Sequence, residues 1–400
     1  MVKVGAEERE ALLKEGERHI FSMGLGDVGS SLCRANMAYG LAKIHWAQRT
    51  LDLEPNATFI SGPDETITRN TTRWHHGIGY GGKITWGDGR AGVVILDVMP
   101  NACGMLIGGL DELPNAGKLI ERFNEMDAAP YINDIKVQWD FSKSNHFIDL
   151  FKVVGIADVD LPPYAFIMHS GAPEVKGDNP KGFGLYYHKS KLLREMAKIV
   201  ETPFGATKVL IDDEAKRYFE FFVFADQFSK KKREMAAKAL FGDYAKISNT
   251  LHQGLIKYDE ILLGAQDTTD GSLLPITLRS DLPAYLFSGK KNLTDEVIES
   301  LGFAQRARKL GVYRRLKNVN ILPHGGGYVF GHMLHVKNVF EQGGTRYFVM
   351  DMQNALGREI FSNTKDVPYS YRGRRVVERA IELMLGEPVA QLMPEYVLKI

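Results

Sequence analysis

The sequence predicts an α+β fold, because short apolar strand candidates are interrupted irregularly by long helical stretches instead of alternating with them in regular units. Two further observations bound that reading. The 400 residues are 44% hydrophobic and 25% charged, enough to bury a large core. No internal repeat, low-complexity tract or linker marks a clean division of the chain. Lys and Arg number 50 against 49 Asp and Glu, so no global field advertises nucleic acid, while local basic patches stay open.

Residues 6 to about 52 read as helices: EEREALLKEGERHI and SSLCRANMAYGLAKIHWAQRTL place apolar residues at helical spacing, with Ser30 as a cap. The N-terminus alternates charges where a secretory peptide needs an apolar core, and no run approaches a membrane-spanning length. The expected location is the cytoplasm, away from membranes. From about Thr58 the pattern changes to β-runs, and GGKITW and AGVVILDV flank Gly87-Asp88-Gly89-Arg90, a hairpin turn signal. Further strand expectations are IKVQWDF, HFIDLFKVVG, YAFIMHSG, KVLIDD, LLPITLR, AYLFSG and TRYFVMDM. Residues 214–264 read as two long helices broken near Gly242, and LTDEVIESLGFAQRARKL as a further helical stretch. Cys33 and Cys103 are too few for a disulfide framework, so each is judged by its neighbours, and Cys33, inside a helix, reads as a small core residue.

Several histidines sit at strand ends and turns, where polar ligands project without breaking the core. WHHGIGYGGKI either lets backbone approach a ligand closely or is a simple loop. In VILDVMPNACGML, Asp97 and Cys103 leave one strand end. A thiolate and a carboxylate there suit a divalent transition metal, and the alternative is a core Cys beside a turn-capping Asp. In KSNHFIDLF, a regular strand puts Asn145 and Asp149 on one face and His146 on the other. Either His146 is an ordinary buried histidine, or the strand twists or bulges at its head. His169 leaves an apolar strand into a Gly-Pro loop, as a ligand or a turn residue; His252 falls on an expected helical stripe with Ile256 and Asp259. His324 precedes three glycines whose N–H groups suit phosphate oxygens. A similar loop occurs in esterases, but no G-x-S-x-G elbow exists here.

Taken in order, these segments resemble the RtcB family of metal-dependent RNA ligases, which join an RNA 3′-phosphate or 2′,3′-cyclic phosphate to a 5′-hydroxyl. HHGIGYGGKITWGDGRAGVVILDVMPNACGM is similar to the family's glycine-rich H-x-G-x-G loop, strand pair and D-x-x-C-G-M metal motif. Ser144-Asn145-His146-Phe147-Ile148-Asp149 resembles G-N-H-F-I-E, His169-Ser170-Gly171 resembles H-S-G, and His252-Gln253 with Asp259 and Glu260 resembles a helical H-N-x-x-x-x-E. Arg279-Ser280-Asp281-Leu282-Pro283-Ala284-Tyr285 is similar to G-S-M-G…S-Y, and His324-Gly325-Gly326-Gly327-Tyr328-Val329 to H-G-A-G-R-V. Val367-Pro368-Tyr369-Ser370-Tyr371-Arg372 and Lys399-Ile400 resemble the family's A-P-x-A-Y-K-D-V and terminal K-G. The likeness spans about Thr71 to Ile400.

The resemblance implies a single large RtcB-like catalytic domain over residues 58–400, with central β-sheets flanked by helices; the N-terminal helical segment over residues 1–57 is read from its own apolar spacing and is not explained by the likeness. It implies two Mn²⁺ ions, one held by Cys103, His169 and His252, the other by Asp97, Cys103 and His146, with Cys103 bridging. It makes His324 the nucleophile that becomes guanylylated by GTP. Asn145 would hold a phosphate, Asp149 would read the guanine edge, and Ser280, Gly325, Gly326, Tyr371 and Lys399 would complete the GTP contacts. The implied partners are RNA ends, such as tRNA halves or broken RNA, with room for an accessory activator protein. The chain departs from the family at named places. Asp97 lies six positions before Cys103 instead of three, Asp149 replaces Glu, and Tyr328 stands where the family has Arg. The H-R-K-G-A segment is missing between Gly264 and Leu278, and extra residues before His324 make GFAQRARK a competing counterpart of the histidine loop. Two other readings follow from the same residues: a metal-dependent phosphoesterase, or a non-catalytic RNA-end binder using the basic runs Lys230 to Arg233, Arg306 to Lys309 and Arg372 to Arg375.

Overall fold

The two N-terminal helices form where the apolar spacing predicts them, as α1 (Ala6–Arg18) and α2 (Val28–Thr50). The cap of α2 is Asp27, not Ser30: the Asp27 carboxylate accepts the Ser30 N–H at 3.1 Å. Cys33 is fully buried on α2, as a core residue. This is a computed structural model that describes residues 2–89, 92–126, 130–142, 145–354 and 357–400. Arg90 of the expected turn, and Lys143 and Ser144 of the Asn-His segment, lie outside the described residues.

The fold is mixed α/β, built on one large central sheet with helices on its flanks. Among the described residues that sheet has eleven strands. In chain order they are β1 (Ile20–Ser22), β2 (Thr58–Thr66), β3 (Tyr80–Thr85), β4 (Cys103–Leu110), β5 (Phe147–Gly155), β6 (Tyr164–Ser170), β7 (Ala245–Lys257), β8 (Glu260–Leu263), β9 (Leu273–Ile276), β10 (Ala284–Gly289) and β11 (Gly386–Leu398). In space the order is β1-β2-β3-β8-β7-β4-β6-β5-β11-β10-β9. Only β1 and β2 pair in parallel; the other neighbours are antiparallel. Strand β1 lies inside the segment expected to be wholly helical, and it joins that segment to the sheet edge.

Two larger expectations also fail, for identifiable reasons. The first is the hairpin around Gly87-Asp88-Gly89: Val93–Ile95 pairs not with β3 but with Thr207–Ile211 in a separate sheet. The turn is tied elsewhere, since the Asp259 carboxylate accepts the Gly89 N–H at 2.5 Å and the Asp259 carbonyl accepts the Trp86 N–H at 2.9 Å. The second is the helix after Gly242. The first long helix forms as α3 (Asp212–Phe241), but residues 245–263 are the antiparallel pair β7 and β8. Ile247, Leu251 and Leu255 repeat at helical intervals, yet irregular strand register produces that spacing: β7 shifts register twice against β4. The stretch from Leu293 to Leu310 is also broken, into Asp295–Ser300 and Ala304–Lys309, around Gly302 at φ +68°.

Helix α3 covers the sheet with Tyr218, Phe222 and Phe228, all buried in the main core. Its basic run is divided: Lys231 faces water and Lys230 is half-buried, while the next two residues turn inward. Lys232 is buried 3.1 Å from both Asp140 and Glu174, and Arg233 is buried with Nη1 donating to the Ser229 hydroxyl and the Ser170 carbonyl. A second core lies under the short helices after Asn292 and under Arg375–Glu382. Among the described residues no helix is long and apolar enough to cross a membrane.

Candidate metal centre and cavity

Antiparallel register brings four chemistry-bearing segments to one place. Cys103 opens β4, and two residues on, Met105 pairs with His169 of β6, which in turn pairs with Phe147 of β5. Residues two apart on a strand share a face, as do cross-strand partners, so Cys103 and His169 point the same way. On the other side of β4, Cys103 pairs with Gln253, while the preceding pair is Gly104 with Leu251. His252 is therefore the extra residue of a bulge, and both His252 and Gln253 line one cavity where regular alternation would separate them. The cavity, of about 900 Å³, opens along this end of the sheet.

His146 reaches the same point by leaving the strand. Regular β5 begins at Phe147, so Asn145 and His146 escape alternation, and both line the cavity together with Phe147 and Asp149. The Nε2 atom of His146 lies 3.2 Å from Sγ of Cys103. Its Nδ1 faces the Asp140 carboxylate at 2.9 Å, and Asp140 is in turn paired with the buried Lys232. The Asn145 carbonyl can only accept, so Nδ1 of His169, 3.1 Å away, carries the proton and leaves Nε2 as a free acceptor. That Nε2 is buried without a hydrogen-bond partner, as is Nδ1 of His252.

Cys103, His146 and His169 each offer a ligand atom, the three lie within 4.8 Å of one another, and all are buried. Burial disfavours the Cys103 thiolate, but His146, through its charge and its hydrogen bond, holds the thiol well below its ordinary range. Burial likewise opposes a charged His146, yet the thiolate and Asp140 push it up to about 10. A thiolate among imidazoles is the donor set of a transition-metal site, so the group is able to hold a metal ion. Gly171 keeps the space open, since a Cβ there would sit 3.1 Å from the Cys103 sulfur.

His324 faces this group. Its ring centroid is 4.8 Å from that of His252, and His252 stands 4.9 Å from His169. The wholly buried Asp64 carboxylate lies 2.9 Å from Nδ1 of His324 and also accepts its backbone N–H at 3.3 Å. The histidine loop is braced from two sides. Thr277 donates its N–H and hydroxyl to the His324 carbonyl, and Arg372 donates to the Gly326 carbonyl while forming two 2.6 Å bonds with Asp27. The segment GFAQRARK packs into the second core instead, so His324 is the histidine loop that reaches the cavity.

Asn145, Asp149, Ser280, Gly325, Gly326, Tyr371 and Lys399 line the same cavity as Cys103, His146, His169, His252 and His324. Asp97 does not. Its carboxylate is buried 2.8 Å from Lys43, with His76 at 3.5 Å and Lys208 at 3.6 Å. Although burial opposes ionisation, the Lys43 and Lys208 ammonium groups hold Asp97 well below the usual carboxylate range, beside His76, whose own burial pushes its imidazole down to about 3. A carboxylate so committed, entering from a turn three residues longer, is an ion-pair residue in place of the expected ligand. Asp259 and Glu260 lie at the β7–β8 turn and do not line the cavity either.

Sequence reasoning missed Asp140 and Asp64. Asp64 had a local signal, a Pro-Asp-Glu-Thr stretch ending a strand that is buried throughout. Compared with known proteins, the chain matches no protein-family model and no curated sequence.

Proposed function

We propose that this chain is a metal-dependent nucleotidyl-transfer enzyme of the RtcB type, acting on RNA 3′-phosphate or cyclic-phosphate ends with GTP. One observation carries the reading: every residue that the resemblance assigns to the site, Asp97 excepted, lines a single cavity although the segments are far apart in sequence. The charge of the lining agrees with phosphate substrates, seven Lys and Arg against two Asp in a chain of net charge +1. The cation at Cys103, His146 and His169 is Mn²⁺ on this reading, and it supplies Lewis-acid neutralisation of phosphate oxygens. Asp64 accepts the Nδ1 proton of His324 and so leaves the Nε2 lone pair as the nucleophile. Attack on the α-phosphate of GTP forms a P–N bond and releases pyrophosphate. A cyclic end is first opened by water to a 3′-phosphate; an oxygen of that phosphate then takes the GMP as the P–N bond breaks, and GMP leaves when a 5′-hydroxyl attacks.

Incubation with Mn²⁺ and α-labelled GTP tests this directly. The expected product is an acid-labile, base-stable protein adduct that His324→Ala abolishes. Label retained in that variant, or absent from metal-loaded wild type, sinks the guanylylation step. A phosphoesterase reading is favoured by one observation, the commitment of Asp97 to Lys43, which removes a ligand expected at a second ion. Phosphate release from cyclic-phosphate RNA without any GTP adduct would be its signature.

A further inference from the structure

Beyond the strand end that carries His169, the chain from Pro173 to Ser190 forms a pinned loop on the cavity rim. Leu185 and Tyr186 donate their N–H groups to the carbonyls of Val175 and Lys176 at 2.9 and 3.0 Å, which pairs the two limbs of the loop. Val175, Leu185 and Tyr186 are buried in the main core, and the Tyr218 hydroxyl on α3 holds the Leu185 carbonyl at 2.8 Å. The Ser190 hydroxyl accepts the N–H groups of Gly184 and Leu193 at 3.0 and 2.9 Å. The loop is thus a rigid mount.

That mount presents two ammonium groups around one ring, Lys176 at 5.4 Å and Lys189 at 6.0 Å from the Tyr186 ring centroid, and both lysines line the cavity beside the exposed His188. Among the described residues no carboxylate lies within ion-pair distance of either lysine, whereas Lys181 on the same loop is paired with Asp134. Two unpaired cations carried on a pinned loop call for an anion. They stand on the rim, with Lys189 exposed, while Cys103, His146 and His169 are buried. The anion they meet is therefore not the reacting phosphate but one further along the same molecule.

We propose that Lys176 and Lys189 form a phosphate subsite for the sugar-phosphate backbone of a single-stranded RNA leading to the reacting end. This rests on the function proposed above and names how its RNA is held. The same phosphate chemistry is available in a mononucleotide, so ligand length separates the two sources.

The test measures anisotropy of a fluorescent twelve-nucleotide single strand ending in a 3′-phosphate, with Mn²⁺ present and GTP omitted. Wild type is compared with Lys176→Ala/Lys189→Ala across a salt series, and both are titrated with a 3′-phosphorylated mononucleotide. Losing two single-strand phosphate contacts should flatten the log–log salt dependence by about 1.4, so the affinity deficit shrinks about sevenfold between about 50 and 200 mM salt. Both proteins should bind the mononucleotide equally. Identical salt slopes and affinities on the long strand overturn the subsite, and so does an equal loss on the mononucleotide, which would assign the lysines to a nucleotide phosphate. A wild type that forms the GMP adduct while the double variant binds RNA normally loses the subsite alone. A wild type without RNA affinity at any salt loses the RNA reading as well.

Discussion

Asp140 grips His146 from behind: its Oδ2 lies 2.9 Å from Nδ1, while Nε2 of the same ring lies 3.2 Å from the Cys103 sulfur. A carboxylate in that place fixes the tautomer and the ring angle of a metal-binding histidine. Lys232, buried between Asp140 and Glu174, holds the carboxylate in turn. Asp140→Asn should lower Mn²⁺ affinity about 10- to 100-fold, measured by calorimetric titration, with the chain still folded because Lys232 keeps Glu174. Wild-type affinity in the variant would show that Asp140 serves only the fold.

Cys103 supplies the sulfur of the group, its Sγ 3.2 Å from Nε2 of His146 and its ligand atom within 4.8 Å of that of His169. Cys103→Ala removes a small buried side chain at a strand start and should leave a folded chain, judged by circular dichroism, that binds far less Mn²⁺. Unchanged stoichiometry and affinity would dissolve the whole constellation. Cobalt loading adds a second readout, since a thiolate ligand gives a charge-transfer band that the variant should lack.

The legible part of the site was the set of histidines at strand ends. His146, His169 and His324 each stand where an apolar run meets Asn, Ser-Gly or Gly-Gly-Gly, and such junctions were readable without pairing partners. What the sequence hid was everything set by register. His252 looked helical because it falls on a helical stripe with Ile256 and Asp259, whereas a bulge against β4 turns it into the cavity. Asp97 looked like a ligand because it shares a strand exit with Cys103, but Lys43 arrives from α2 and claims it. Asp140 and Asp64 act on histidines six and 260 residues away, and only the folded chain shows either contact.

Asp64 is predicted to govern the reactivity of His324. Its carboxylate accepts the Nδ1 proton; an amide in its place can donate instead, which would move the proton to Nε2 and block that nitrogen as a nucleophile. Asp64→Asn should slow formation of the GMP adduct at least about a hundredfold, with Mn²⁺ affinity near wild type. Single-turnover labelling with α-labelled GTP measures it, and an unchanged rate would detach Asp64 from the chemistry.

Asp149 gives the fold and the proposed activity opposite responses to pH. Burial pushes its carboxyl up to about 7 even with Lys399 nearby. An unfolded Asp releases its proton near about pH 3.9, so above that value the folded chain keeps a proton that the unfolded chain has lost. The stability tied to Asp149 is whole below about pH 4 and falls as pH rises towards 7, by at most about 1.4 kcal/mol per pH unit. Glu65, fully buried and also pushed up to about 7, weakens the fold over the same window, so the wild-type profile alone does not isolate Asp149. Asp149→Asn removes only its own share, and urea unfolding should show the variant gaining on wild type at pH 8 relative to pH 5. Guanine recognition by an ionised Asp149 runs the other way, with GTP affinity rising as pH passes about 7 in wild type and staying flat in the variant. A stability difference that does not change between pH 5 and 8 would mean Asp149 titrates as an ordinary carboxylate, and GTP binding that ignores both pH and the substitution would take the guanine edge away from it.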